Sequence, residues 1–190
     1  MAQSKENIVT HGLSGLVGKM LVFRKLGDKT IVASRPKVNK NRVPTADQLA
    51  IQEKFKLASV YASGAIKDPI LKAAYQLTST GNQSAFNRAF KDSQMAPEFV
   101  GDPNISAYSC AIGQKITAKV VDDFRVETVK VTILSATDTL IEEGQATIGT
   151  DQATWTYTIK ARNPDLLGSK IRFSAYDLPN NETILELVLS

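Results

Sequence analysis

Histidine and cysteine are almost missing from this chain: 190 residues contain one of each, His11 and Cys110. A lone cysteine forbids an intrachain disulfide, so the fold must be held by packing, as suits a reducing compartment. A lone histidine leaves little room for Ser-His-Asp or Cys-His chemistry, because His11 would have to serve as every base, from a polar N-terminal arm. Zinc would be left with carboxylates alone, which is an unusual ligand set. No apolar run approaches the roughly 20 residues that span a bilayer. The opening MAQSKENIVTHGLSG lacks the apolar stretch of a cleaved signal. The expectation is cytoplasmic synthesis without membrane insertion, with release by a signal-independent route, or association with a particle, left open.

Phosphate-binding loops are missing as well. Gly12, Gly15 and Gly18 recur every third residue, but no Gly-Lys-Ser/Thr follows them and no strand-glycine-helix order surrounds them. They read as turn-making positions. Asp122-Asp123 could form part of a calcium site between strands, but a polar turn explains the pair more simply. No Asp or Glu stands in an apolar sequence setting that would raise its pKa. Cys110 reads as a small buried hydrophobe in the first strand of the second half. No catalytic residue, metal, cofactor or small-molecule substrate is therefore expected.

What the chain does have is an uneven charge. Residues 1–100 carry 15 Lys/Arg against 7 Asp/Glu, and residues 101–190 carry 8 against 12. The hydrophobic periodicity changes at the same place, which predicts an α+β protein in two parts: residues 1–100 with a β-hairpin and three helices, and residues 101–190 with an immunoglobulin-like antiparallel β-sandwich. The hairpin is expected over 17–25 and 30–34, joined by the Leu26-Gly27-Asp28-Lys29 turn. Thr45-Ala46-Asp47-Gln48 has the form of a capping box, and its helix should run to about residue 63. Asp68-Pro69 starts a second helix, expected to end at Gly81, and a third spans 84–94 with Phe86, Ala89 and Phe90 inward. Pro97, Gly101 and Pro103 mark a boundary in 95–103. Beyond it, strands are expected over 115–121, 125–134, 153–161, 170–176 and 183–189, with further ones over 104–112 and 139–147. Trp155, Tyr157 and Ile159 should share the core face.

Lys19 to Arg42 holds eight cations and one acid. Of these, Lys19, Arg24, Lys25, Arg35, Lys37, Lys40 and Arg42 are the candidate partner-binding residues. One reading is contact with an acidic protein wall or particle lumen, and a second is contact with nucleic acid through the 35–42 arm. The plainest alternative is a solvated, charge-protected sheet edge. No aromatic residue is interleaved in the arm to stack on bases.

Gly15-x-Val17-Gly18, Val22-Phe23, Gly27, Ile31-Val32-x-Ser34-Arg35-Pro36-Lys37 and Thr45-x-x-Gln48-x-x-x-Gln52-x-Lys54-Phe55 together resemble the opening of an uncharacterised family of bacterial proteins. The likeness covers about residues 12–80 closely and the sandwich loosely. Where such chains carry Arg after the second Gln, this one has Glu53. The resemblance implies a β-rich second half and an association with phage-derived particles, as virion component or as cargo or accessory of a contractile injection system. It implies no catalytic residues. An enzyme or toxin with an unrecognised site is the third reading.

Overall fold

The structure, a computed structural model, describes residues 2–4, 8–10, 12–37 and 43–189. His11, Lys40 and Arg42, and with them most of the expected basic arm, lie outside the described residues. The described chain is α+β, with three helices and antiparallel sheets.

The first sheet contains β1 (Ala2–Ser4), β2 (Gly15–Val17), β3 (Leu21–Leu26) and β4 (Lys29–Ser34), in the order β1-β4-β3-β2. β3 and β4 form a hairpin, with Leu26 opposite Lys29 at the turn. Gly27 has φ +57, a left-handed backbone that favours glycine, and a Cβ there would stand 2.6 Å from the Asn82 side-chain nitrogen.

Three helices follow. α1 (Ala46–Ala65) begins with the capping box: Gln48 N–H donates to the Thr45 hydroxyl and Thr45 N–H to the Gln48 side chain, both at 3.3 Å. α2 (Pro69–Leu77) starts with Asp68 accepting from Ile70 N–H at 2.8 Å and Leu71 N–H at 3.3 Å. It ends before Gly81, contrary to expectation. The Thr78 and Ser79 hydroxyls take up the Tyr75 carbonyl at 3.2 and 2.8 Å, closing the helix early. α3 (Ala85–Asp92) is capped by Ser84. The helices pack through small residues, with Ala62 and Ala65 of α1 against Ala85 and Ala89 of α3 and the Tyr75 ring filling the space beside them.

Two four-stranded antiparallel sheets make up the rest. One has the order β5 (Glu98–Phe99), β6 (Lys115–Val121), β10 (Thr154–Thr158), β9 (Thr147–Ile148). The other has the order β12 (Glu182–Val188), β11 (Lys170–Asp177), β7 (Val126–Leu134), β8 (Leu140–Gln145). Their inward side chains form one core: Ile116, Ala118, Val120, Trp155 and Tyr157 from the first sheet, and Val129, Val131, Ile133, Ile171, Phe173 and Ala175 from the second. Trp155, Tyr157 and Ile159 are buried together, as their alternation predicts.

Three expectations need correction here. Residues 104–112 form no strand; Asn104 makes a single bridge to Thr117, and the rest is turns and bends. Cys110, with φ +64, is therefore a half-buried loop residue packed against the core. The first strand of this part is β5, inside the segment read as a boundary, where the fully buried Pro97 leads into an edge strand that tolerates it. Finally, 139–147 is two strands in different sheets. The chain crosses between them at buried Ala146, whose N–H donates to the Val129 carbonyl at 2.8 Å.

The helices rest on turns of the sandwich. Phe124, from the β6–β7 turn, stacks on Tyr75 with centroids 4.1 Å apart, and Leu178 joins the same cluster. Among the described residues no helix is long and apolar enough to cross a membrane.

Candidate functional site

The cations predicted to bind a partner are separated by the geometry of the first sheet. Lys19, with φ +58, sits in the β2–β3 turn. Arg35 follows β4 at that same end, its N–H donating to the Met20 carbonyl at 2.7 Å, and Lys37 lies just beyond. Arg24 and Lys25 lie at the opposite end, beside the hairpin turn, together with Lys29. Three residues of β3, Leu21, Val22 and Phe23, separate the two groups, about 13 Å from the Met20 position beside Arg35 to Arg24 at strand spacing. Within the hairpin group the cations divide again by face. Arg24 pairs with Ile31 and Lys29 with Leu26, so both share a face with Val22 and Ala33; Lys25 pairs with Thr30 on the other face.

All six of these cations are exposed, and none makes a salt bridge among the described residues. The sheet around them is a thin layer. Only Phe23 and Thr30 are buried in β2–β4, whereas Leu16, Val17, Met20, Leu21 and Leu26 are exposed, Met20 at 72%. α1 adds Leu49, Ile51, Phe55, Leu57 and Val60, each more than half exposed. Cations flanking uncovered apolar side chains can meet an acidic, partly apolar surface through charge and burial together.

A second cluster escaped the sequence reading. Asp92, the last residue of α3, is fully buried where the helices meet the sandwich. The Tyr75 hydroxyl donates to its Oδ2 at 2.6 Å, and the Tyr61 and Tyr75 hydroxyls share a hydrogen bond of 2.8 Å. Asp92 Oδ1 has no hydrogen-bond partner among the described residues. Burial pushes the Asp92 carboxyl up to about 6; the Tyr75 hydroxyl opposes the rise, and the charges of Asp122 and Asp177 add to it. Asp177 is raised as well, again chiefly by burial and against the Asn181 N–H donors. Burial and the bond to Asp92 raise the Tyr75 phenol too. This corrects the expectation that no carboxylate has a raised pKa. The missed signal was helical phase: Ala85, Arg88, Ala89 and Asp92 form the i, i+3, i+4, i+7 stripe and all four are buried, whereas Phe86 and Phe90 are only half-buried beside it.

Asp122 and Asp123 serve as a turn and a clamp. Asp122 Oδ2 accepts from the Phe124 and Arg125 N–H groups, each at 3.0 Å. Asp123 receives the buried Arg88 guanidinium on its carboxylate and on its backbone carbonyl, and Lys91 at 2.9 Å. Burial alone would raise the Asp123 carboxyl, but the Lys91 and Arg88 cations hold it below the usual carboxylate range. Among the described residues no three metal-ligating side chains stand together.

Compared with known protein families, curated proteins and solved structures, the chain matches none.

Proposed function

We propose that this is a non-enzymatic interaction protein whose N-terminal sheet docks on an acidic protein surface. The family resemblance sets the context: a component, cargo or accessory of a phage-derived particle. One observation carries the reading. A thin sheet whose cations have no ion-pair partner among the described residues also leaves Leu16, Val17, Met20, Leu21 and Leu26 uncovered. A two-faced layer of this kind is poorly stabilised in water by itself and gains from a partner that covers it. The functional surface is the sheet itself, with Arg24 and Lys29 on one face and Lys19 and Arg35 at the far end.

We also propose that the two packed sheets form an immunoglobulin-like sandwich. Support comes from the strand order: first, second, sixth and fifth strands in one layer, and eighth, seventh, third and fourth in the other. Two familiar marks of antibody domains are replaced. The buried Trp155 lies in the sixth strand rather than the third, and no inter-sheet disulfide is possible with one cysteine.

The test compares wild type with a variant in which Arg24, Lys25 and Lys29 are Gln, measuring anisotropy of labelled generic duplex DNA across a salt series. The docking reading predicts no salt-steep DNA binding by either protein. Wild-type binding near the roughly 10⁻⁶ M level of non-specific binders, lost in the variant, would transfer the function to nucleic acid.

A further inference from the structure

The buried junction holds a carboxylate that forms no ion pair among the described residues, though the Arg88 charge acts on it. Asp92 is at the C-terminus of α3, where the helix dipole disfavours a negative charge, and it is wholly removed from water. Every packed element brings a titratable or charged group toward it. α1 contributes Tyr61 and α2 contributes Tyr75; the β6–β7 turn brings Asp122, Asp123 and Arg125, and β11 brings Asp177. Arg88, one turn before Asp92 on α3, is already committed: its guanidinium bonds Asp123, and its Nε donates to the Thr78 hydroxyl at 3.4 Å. Unpartnered carboxylate oxygens remain on both Asp92 and Asp122. The backbone latch lies at the same place, where Asn181 Nδ2 donates to the Met95 carbonyl at 2.9 Å and to the Asp92 carbonyl at 3.5 Å.

We propose that this junction is an acid-tightened clasp: a proton taken up by the Asp92 carboxyl closes α3 onto the β6–β7 and β11–β12 turns, and its loss loosens the contact. The step is a simple protonation from solvent that removes one buried negative charge beside two other carboxylates. Closed, the Asp92 carboxyl titrates at about 6; opened to water, it returns toward 3.8. The closed form therefore binds more protons between those values, and closure strengthens as pH falls through the upper one. From about pH 7.5 to about pH 5, the closing equilibrium should shift roughly tenfold. Asp177, also raised, acts in the same direction.

Two measurements on the full chain test this. The first is carboxyl-carbon NMR with labelled aspartate, which should give an Asp92 midpoint near 6, moving upward in Tyr75→Phe because the hydroxyl that favours the charged form is gone. The second is amide hydrogen exchange, corrected for intrinsic rates, at the two pH values. Protection in α3 and at Phe124 should rise about tenfold on acidification in wild type and stay high at both pH values in Asp92→Asn. A wild-type Asp92 midpoint in the ordinary carboxylate range overturns the clasp, as does a protection rise that survives Asp92→Asn. Should Asp92→Asn fail to fold, the wild-type midpoint decides.

Discussion

Trp155 shows what a single residue contributes here. Its ring is buried in the core that the two sheets share, a core that also holds Ile116, Val129 and Phe173. Trp155→Ala should cost about 3–5 kcal/mol, read as a lowered denaturation midpoint. Wild-type emission should be blue-shifted and poorly quenched; a red-shifted, readily quenched spectrum would mean the strand faces the other way. Arg88 works by charge instead. Its pairing with Asp123 is shielded from solvent, so Arg88→Ala leaves the Asp123 carboxylate with the exposed Lys91 alone and should cost about 1–3 kcal/mol. The pH dependence has two opposed parts. Asp123 is held low, so its contribution is present above its unfolded pKa of 3.8 and disappears as pH falls through its lower folded value. Asp92 and Asp177 are raised, so the folded state gains on acidification from about 6 toward 3.8. Thermal midpoints should therefore rise from neutral pH to about pH 5 and fall steeply below pH 4. A monotonic fall from pH 7 downward would contradict the burial of Asp92.

At the scale of elements, local signals were read well wherever chemistry is local. The Thr45–Gln48 capping box starts α1, Asp68-Pro69 starts α2, and β6 runs from Lys115 to Val121, where alternation placed it. Thr45→Ala should cost about 1 kcal/mol by circular dichroism melting, since it orphans the Gln48 N–H. Long-range features were not legible. Nothing in 139–147 shows that the chain changes sheets at Ala146, because Leu140-Ile141-Glu142-Glu143 does not alternate and β9 is only two residues long. The two-residue β5 is too short to leave a pattern, and only its pairing with Val120 and Val121 makes it a strand. The candidate cations were found one by one, but their division into two ends and two faces depends on register, which only the folded sheet supplies. The same β5 pairing has a consequence. With Pro97 buried and Met95 bonded to Asn181, a broad-specificity protease should leave residues 95–103 uncut under native conditions. Early cleavage there would show that the helices and the sandwich separate readily.

On the scale of the whole molecule, charge divides between the two parts, basic in residues 1–100 and acidic in residues 101–190. The acidic second part pairs four of its eight cations with its own acids: Arg125 with Glu127, Lys130 with Glu143, Lys170 with Asp138 and Arg172 with Glu186. The cations of the first sheet have no ion-pair partner among the described residues and stand next to exposed Leu16, Met20 and Leu26. A partner supplying carboxylates and apolar surface would meet both needs. The most direct measurement is co-sedimentation of the full chain with the high-molecular-mass particle fraction of its host after nuclease treatment, comparing wild type with Arg24, Lys25 and Lys29 changed together to Gln. Docking through the sheet predicts that wild type sediments after nuclease and is released by about 0.5 M salt, where screening is short-ranged, while the folded variant stays in the supernatant. Release of wild type by nuclease alone, or equal sedimentation of the variant, would contradict it.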